Sequence, residues 1–566
     1  MISRRNRKRK LGDIDFENIL FDSKNTSGMN SQQMEGVLER PISRYAMFGV
    51  SIFFVLLLIF FMGRIFMIQV VNGEQYFDRS TKNALRYQVN FKNRGVIYDR
   101  NGQELAWNEA ADEESGQEFA LRRYIENPGF SHLLGFVSYP QKDARGNYFQ
   151  TEYEGVSGVE YFYDDMLDAQ PSLGIREVNA RGEVISENTT IAGYDGQNIN
   201  LTIDSRLQAK GQEILANYIS SEGFDGGSLI IMDVRNGEII TMTNAPEYDS
   251  NILSDGEDRE TIAAYNVDPK KPFLNRAVGG SFAPGSIVKP FIATGILDKN
   301  LVDPNKKIST NGGVLAIENQ YFPGQFTYFR DSRDNGSVNM YDAIARSSNI
   351  YFFTYGAGYG SNPGLGISGI NDYLRRYGFG SQTGIVEFND LNGVVPNPEW
   401  KEETFGEQWL LGDTFYTAIG QYGFLVTPMQ AAVAVSAVAN GGDVLVPKLI
   451  IDEDGVQPEI RNKLGVSEYA IETVHQAMRE TVLRGTTQSL NLPFVEVAAK
   501  SGTAERGTGR ETVNVWAIGF WPLDDPQYAF AVMAENGPRV QQLGVSRVMT
   551  QLLQWMNAEE ITEYFQ

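Results

Sequence analysis

One stretch of the chain breaks from the rest in its pattern of apolar and polar positions. Between Tyr45 and Gly63 no charged side chain occurs, and after Arg64 the apolar character resumes through Ile65–Ile68. A run of this kind matches the roughly 20 residues that a helix needs to cross the hydrocarbon core of a bilayer. No later stretch is apolar enough to do the same. Six basic side chains lie in Met1–Lys10, ahead of the span. The positive-inside rule therefore puts residues 1–44 in the cytoplasm and everything beyond roughly Val71 outside. Arg64 falls at the far interface, where its stem can reach back to water. A cleavable signal peptide fits poorly, because the apolar core is too long, a long polar tail precedes it and no small-x-small cleavage site follows.

After the span (45–71) the pattern turns to short alternating pieces separated by turn residues. In 72–222 the segment Asn93–Gly102 carries an Asn-Gly turn between apolar pieces, which predicts a hairpin. No helix-period core stands out there, so 72–222 reads as a β-rich spacer. The remainder, 223–566, reads differently. Ser228–Val234 and Glu238–Thr243 flank Asn236-Gly237 as a second hairpin. Phe494–Ala504, Val513–Phe520 and Tyr528–Ala534 are strand-like, and Asp524-Asp525-Pro526 makes a turn before the last of them. Helix-compatible patterns run from Ser286 through Ile296, over Ser467–Arg484 and over Val545–Ala558. Strands at both ends with helices between predict one α+β unit whose sheet draws strands from both ends of the segment.

Composition narrows the chemistry. The chain has 566 residues, 42% apolar and 21% charged, which is ordinary for two or three folded units. The formal net charge of -22 argues against a nucleic-acid surface, which needs a basic stripe. Cysteine is absent and histidine occurs twice, at His132 and His475. Disulfides, a thiol nucleophile and cysteine-based zinc sites are thereby excluded, and a serine–histidine triad has little to draw on. Both histidines read as structural, and no metal cluster or cofactor motif is visible.

What remains is a serine–lysine chemistry. Ser286-Ile287-Val288-Lys289 is a Ser-x-x-Lys, and if Ser286 opens a helix the two share a face. The start of a helix favours negative charge developing on the serine oxygen. A serine hydroxyl needs a base, and a lysine serves only if burial or a second cation pulls its pKa far below the usual range. Alone the motif is weak. Ser347-Ser348-Asn349 follows 61 residues later, and Lys500-Ser501-Gly502-Thr503 lies on a predicted strand far downstream. Singly, Ser347 reads as a surface serine, Asn349 as a cap and Lys500 as a solvated strand residue. In this order, and with these local structures, they form the three-element set of serine acyl-transferases.

The chain resembles a class B penicillin-binding protein, and within that class the elongation-type penicillin-binding protein 2 subfamily. The resemblance rests on Phe66–Gly73, Arg94–Gly102 with Leu105-Ala106, Gly155–Glu160, Leu201–Asp204, Pro272–Ala277 before Pro284-Gly285-Ser286, and Leu411–Thr414 before Ile419-Gly420-Gln421 and Thr427-Pro428. It departs in placing Tyr422 where a glycine often follows the glutamine, and Ile287-Val288 where Thr-Phe or Thr-Tyr is common.

This likeness implies a single membrane helix, a pedestal domain, and a penicillin-binding serine-transpeptidase domain with a central antiparallel sheet flanked by helices. It implies D,D-transpeptidation of peptidoglycan stem peptides without a cofactor or metal, and inhibition by β-lactams. Ser286 would be the nucleophile, Lys289 its base, Ser347 a proton relay to the leaving amine, and Asn349 a holder of the peptide amide. Lys500 would supply positive potential. Ser501 and Thr503 would bind the terminal carboxylate, and Gly502 would leave room for substrate along its strand. The backbone N–H groups of Ser286 and Thr503 would form an oxyanion hole. The expected membrane partner is a polytopic glycan polymerase of the shape, elongation, division and sporulation family. A β-lactamase or D,D-carboxypeptidase shares the motifs but suits a long anchored chain less well. A bifunctional synthase would need a glycosyltransferase domain that 72–222 does not resemble. A scaffold or β-lactam sensor that keeps the fold is the non-enzymatic alternative.

Overall fold

The structure is a computed structural model that describes residues 43–77, 85–111, 117–144, 146–178, 184–318, 322–451, 457–507 and 509–565. The basic segment Met1–Lys10 lies outside the described residues. Two compact units divide the chain, Met1–Leu85 and Arg86–Gln566.

In the first unit Arg44–Phe66 is an α-helix that widens into a π-turn over Met67–Val71, where the Asn72 N–H reaches back to the Met67 carbonyl at 2.9 Å. The apolar helix runs 28 residues, Arg44–Val71, with a mean hydropathy of 2.6 and none of its most apolar stretch buried. At about 1.5 Å per residue it is long enough to cross a bilayer. A helix that is apolar all round with no buried residue is suited to lipid rather than to a protein core.

The second unit is built around a five-stranded sheet. Its elements, in chain order, are α1 (Ser205–Glu222), β1 (Gly226–Asp233), β2 (Ile239–Ala245), α2 (Lys289–Asp298), α3 (Asn349–Tyr355), α4 (Pro428–Ala439), α5 (Glu468–Arg484), β3 (Ala498–Arg506), β4 (Thr512–Trp521), β5 (Tyr528–Pro538) and α6 (Ser546–Ala558). The strand order is β2-β1-β5-β4-β3, antiparallel throughout. Strands from both ends of the segment therefore meet in one sheet, with β3 at an edge.

Every residue of β1 and β2 is buried, because helices cover both faces. The period-2 alternation of strand side chains sorts them between two cores. Leu229 and Ile231 face α1 and α6, whereas Ile230 and Met232 face α2 and α4. Helix α1, which the sequence reading assigned to the spacer, packs on β1, β2 and α6. The predicted strand Phe494–Ala504 begins only at Ala498. Pro493 lacks an N–H for a ladder, and Val495 and Val497 turn into the α1/α6 core instead.

The spacer is β-rich as expected. Ile97–Tyr98 and Glu104–Glu109 pair about the Asn101-Gly102 turn, and Gly102 takes the φ of +82° that such a turn demands. Asp99 Oδ1 accepts the N–H groups of Asn101 and Gln103, both at 2.8 Å. Its Oδ2 accepts the Ser205 hydroxyl at 2.6 Å, tying the hairpin to α1. Leu105, Leu133, Val159 and Leu201 join the same core as Ile230 and Met232, so the apolar interior is continuous from spacer to sheet.

Candidate active site

Ser286 does not open the α-helix itself. It sits in a 3-10 turn, Gly285–Val288, and α2 begins at Lys289, with Pro290 in its first turn where no N–H is needed. The tighter turn is forced by close backbone approaches on two sides. A Cβ on Gly285, whose φ is +57°, would lie 2.4 Å from the Thr503 carbonyl oxygen, and one on Gly420 would lie 2.1 Å from the Gly285 oxygen. The Gly285 N–H donates to Gly420 O at 2.9 Å, and the Trp516 indole N–H donates to Ala283 O at 2.9 Å. The turn carrying Ser286 is thus clamped between β3 and the Ile419–Gln421 loop.

Lys500 projects from β3 toward α2, and Lys289 and Lys500 are both fully buried, at 0% exposure. Lys289 Nζ donates to Ser347 O at 2.8 Å, Ser347 Oγ at 3.2 Å and Asn349 Oδ1 at 2.7 Å. Lys500 Nζ donates to the same Ser347 Oγ at 3.1 Å and to Ser501 O at 2.6 Å. Five predicted residues, Lys289, Ser347, Asn349, Lys500 and Ser501, therefore form one hydrogen-bonded cluster, with Ser286 one turn from Lys289. Burial pulls the Lys289 pKa down to about 7, against an opposing pull from the Asp331 carboxylate. Burial, and then the neighbouring Lys289, push Lys500 well below its ordinary value. Two ammonium groups sharing one hydroxyl in a dry site disfavour each other's charge. Ser347 Oγ accepts from both lysines, which leaves its own proton to point elsewhere.

Ser347 has a φ of +60°, a conformation a non-glycine residue takes at a cost of about 1–3 kcal/mol. Ser348 caps α3, and Asn349 Nδ2 donates to Arg330 O at 2.8 Å. Asp331 accepts from the Ser348 hydroxyl at 2.9 Å and from the Ile350 N–H at 3.1 Å, and it also accepts the Asn349 N–H. Nothing in the local sequence around Asp331 marked it, since its role exists only where the hairpin Val314–Glu318/Phe326–Arg330 meets α3.

The remaining predicted residues lie along β3. Ser501 is half-buried, and its hydroxyl is 2.5 Å from that of Thr486, a contact the sequence reading missed. Thr503 is exposed. The structure adds a packing reason for Gly502. A Cβ there would point away from the open side of the strand, 2.7 Å from Pro284 O and 2.8 Å from Ile287 Cγ2. Gly502 makes room for the Ser286 turn and for the buried Ile287. Tyr422, the departure noted beside Gly420-Gln421, holds a left-handed φ of +62° that a glycine would take without strain. Trp400 and Trp409 brace its ring edge-on at 6.0 Å, and Lys401 Nζ lies 5.6 Å over it.

Neither histidine joins the cluster. His132 is buried with Nε2 2.8 Å from Pro272 O, and His475 is half-buried with Nε2 2.7 Å from Val438 O.

Comparison with known proteins agrees with this architecture. Residues 227–554 match the penicillin binding protein transpeptidase domain, and residues 117–201 match the penicillin-binding protein dimerisation domain. Peptidoglycan D,D-transpeptidase MrdA of Acinetobacter baumannii is 30% identical over 444 residues, which cover 74% of this chain and 63% of that relative. The penicillin-binding protein 2 of Pseudomonas aeruginosa, solved in complex with WCK 5153, superposes with a TM-score of 0.65 at 26% identity, covering 83% of this chain and 96% of that one. A chain from a structure described as the coordination of polymerization and crosslinking by a peptidoglycan synthase complex superposes with a TM-score of 0.69 at 25% identity, covering 92% and 98%.

Proposed function

The chain belongs to the penicillin-binding protein transpeptidase family, and on that premise we propose that it is a membrane-anchored D,D-transpeptidase that cross-links peptidoglycan stem peptides during wall elongation. The observation that carries the reading is the buried cluster in which Lys289 and Lys500 share Ser347 Oγ beside the Ser286 turn. Such a cluster costs stability and gives little back to the fold, but it holds a lysine amine near its neutral form at physiological pH.

In this mechanism neutral Lys289 Nζ takes the proton of Ser286 as its Oγ attacks the carbonyl carbon of the penultimate D-Ala. The negative oxygen of the tetrahedral adduct is held by the backbone N–H groups of Ser286 and Thr503, each worth about 3 kcal/mol in sites of this type. The C–N bond then breaks. The proton passes from Lys289 through Ser347 to the nitrogen of the departing D-Ala, leaving an ester on Ser286. Ser347 suits the relay because its oxygen accepts from both lysines and its proton is uncommitted. An acceptor amine of a neighbouring stem peptide attacks the ester, loses its proton by the reverse path and releases Ser286. A β-lactam would acylate the same oxygen.

Edge strand β3 offers backbone groups to which an extended stem peptide can add. Asn349 would hold its amide, and Ser501 and Thr503, with the potential of Lys500, its terminal carboxylate. The Arg44–Val71 helix supports anchoring in the cell membrane, and the basic residues ahead of it support a cytoplasmic N-terminus with the catalytic unit outside. A glycan polymerase of the shape, elongation, division and sporulation family is the proposed membrane partner. The 92% coverage by a chain of a polymerizing and cross-linking complex supports that assignment.

The test is covalent labelling of the full-length protein in detergent with a fluorescent penicillin. Stoichiometric labelling that disappears in Ser286→Ala is expected. Absence of label, or equal labelling of the Ser286→Ala protein, would overturn the assignment.

A further inference from the structure

We propose that Asp331 is a positioning residue for acyl transfer, holding the Ser347–Asn349 turn in register with Lys289 and supplying a counter-charge to that buried lysine. The inference rests on the transpeptidase reading above and deepens it.

Asp331 follows the strand Phe326–Arg330, outside all of the sequence motifs. Its Oδ1 accepts the backbone N–H groups of Asn349 and Ile350, and its Oδ2 accepts the Ser348 hydroxyl and the Asn335 amide, each at 2.9 Å. Its neighbour Arg330 accepts the Asn349 side-chain amide through its carbonyl. Together these two residues bind Ser348, Asn349 and Ile350 in succession. The residue just before them, Ser347, is the one held at a φ of +60°. A strained residue persists only where its surroundings over-determine it, and the Asp331 bonds do that here. The consequence for chemistry is direct. Ser347 O, Ser347 Oγ and Asn349 Oδ1 are the three acceptors of Lys289, so a turn that slackens moves all three at once.

The charge of Asp331 acts on the same group. Asp331 is the charge that bears on Lys289, and Lys289 in turn bears on Lys500 from β3. Other elements packed on α2 carry ion pairs of their own: Arg484 of α5 with Asp342, and Arg376 of the helix Gly366–Arg376 with Asp372. Burial alone would drive Lys289 further down, and Asp331 opposes it. Asp331 therefore sets how far below its ordinary range the base sits, and hence how much of it remains basic enough to take a proton.

The test compares second-order acylation constants by a fluorescent penicillin, across acid and neutral pH, for the full-length protein in detergent and its Asp331→Asn and Asp331→Ala variants. Asp331→Ala strands the N–H groups of Asn349 and Ile350, and acylation should fall about 100-fold at every pH, the loss typical of a slightly misplaced catalytic group. Asp331→Asn removes the charge but keeps an oxygen for those N–H groups. Asn335, whose amide oxygen is buried without a hydrogen-bond partner, can turn to accept from the new amide. That variant should slow less, and its acid limb should move about 1 pH unit lower as Lys289 loses its counter-charge.

Parent-like rates and an unmoved limb in both variants would overturn the proposal. So would a limb that moves to higher pH, or equal slowing of both with no movement. If Asp331→Ala fails to fold, the pH profile of Asp331→Asn decides alone. Ser286→Ala in the same series separates the two levels, because equal labelling of that variant rejects the transpeptidase reading whatever the Asp331 variants do.

Discussion

In the spacer, Glu160 lies between Arg94 and Arg122, and all three side chains are fully buried. In the catalytic part, Lys289 and Lys500 are just as buried, but they face each other across one serine hydroxyl. Burial acts the same way in both places, opposing the charged form. Its outcome differs because of the partners. Burial pushes Glu160 up, but Arg122 and Arg94 outweigh it and hold the carboxyl below the usual range, with bonds of 2.7 Å to each guanidinium. At Lys289 the Asp331 carboxylate only partly offsets burial, and at Lys500 the like charge of Lys289 adds to it, so both pKa values fall. Where buried charges are matched, the cluster fastens Arg94, on the strand-entry segment, to the short helix Gly158–Phe162. Where they are mismatched, burial moves the amines toward their neutral form. The contrast separates structural from chemical burial better than burial alone does.

The sharpest way to break this contrast is Lys289→Met. Acylation should fall about 10⁴-fold, as when an activating base is removed. Stability should change by no more than about 1 kcal/mol, because relief of a buried like-charge pair offsets the lost bonds to Ser347 and Asn349. Labelling kinetics beside a thermal melt reads both, and a melting temperature that collapses would show the lysine pair to be a structural element after all. Glu160→Gln is the mirror experiment. It leaves two guanidinium groups under-compensated and should cost about 3–5 kcal/mol of stability in a denaturant titration. Labelling per folded molecule should stay at the parent rate, and a lost rate would tie the spacer to the chemistry.

The smallest effect is that of pH. Acylation needs neutral Lys289, so it should fall about tenfold per pH unit below the Lys289 pKa of about 7. The stability contributed by Glu160, whose folded pKa is depressed, is fully present above the unfolded carboxyl range and is lost only as pH falls below that range through the depressed folded value. Mildly acidic buffer should therefore silence the site and spare the spacer. A fold that loosens in step with activity would contradict the assignment.

The parts of this molecule that read cleanly in the sequence are those whose signal is local. The Arg44–Val71 helix is visible as an uncharged run, the hairpins at Asn101-Gly102 and Asn236-Gly237 as turn dipeptides between apolar pieces, and Lys289 and Asn349 as members of spaced motifs. Boundaries set by packing were not legible in the same way. Pro493 and the α1/α6 core delay β3 to Ala498, and α1 packs on a sheet whose strands begin after it and end more than 300 residues later. Gly502 was legible as a required glycine, but not that the Cβ it lacks would strike Pro284 and Ile287.

The sequence by itself determined the candidate reacting groups and their order, because Ser286, Lys289, Ser347, Asn349 and Lys500 stand in spaced motifs that are legible whatever surrounds them. It also determined the membrane segment, because transfer to lipid depends on composition and length. Only the tertiary structure decided that Lys289 and Lys500 are dry and share one hydroxyl, that Ser347 is left-handed, and that Asp331 binds the residues directly after it. Those are properties of distance and solvent exclusion between residues far apart in the chain, and no motif carries them.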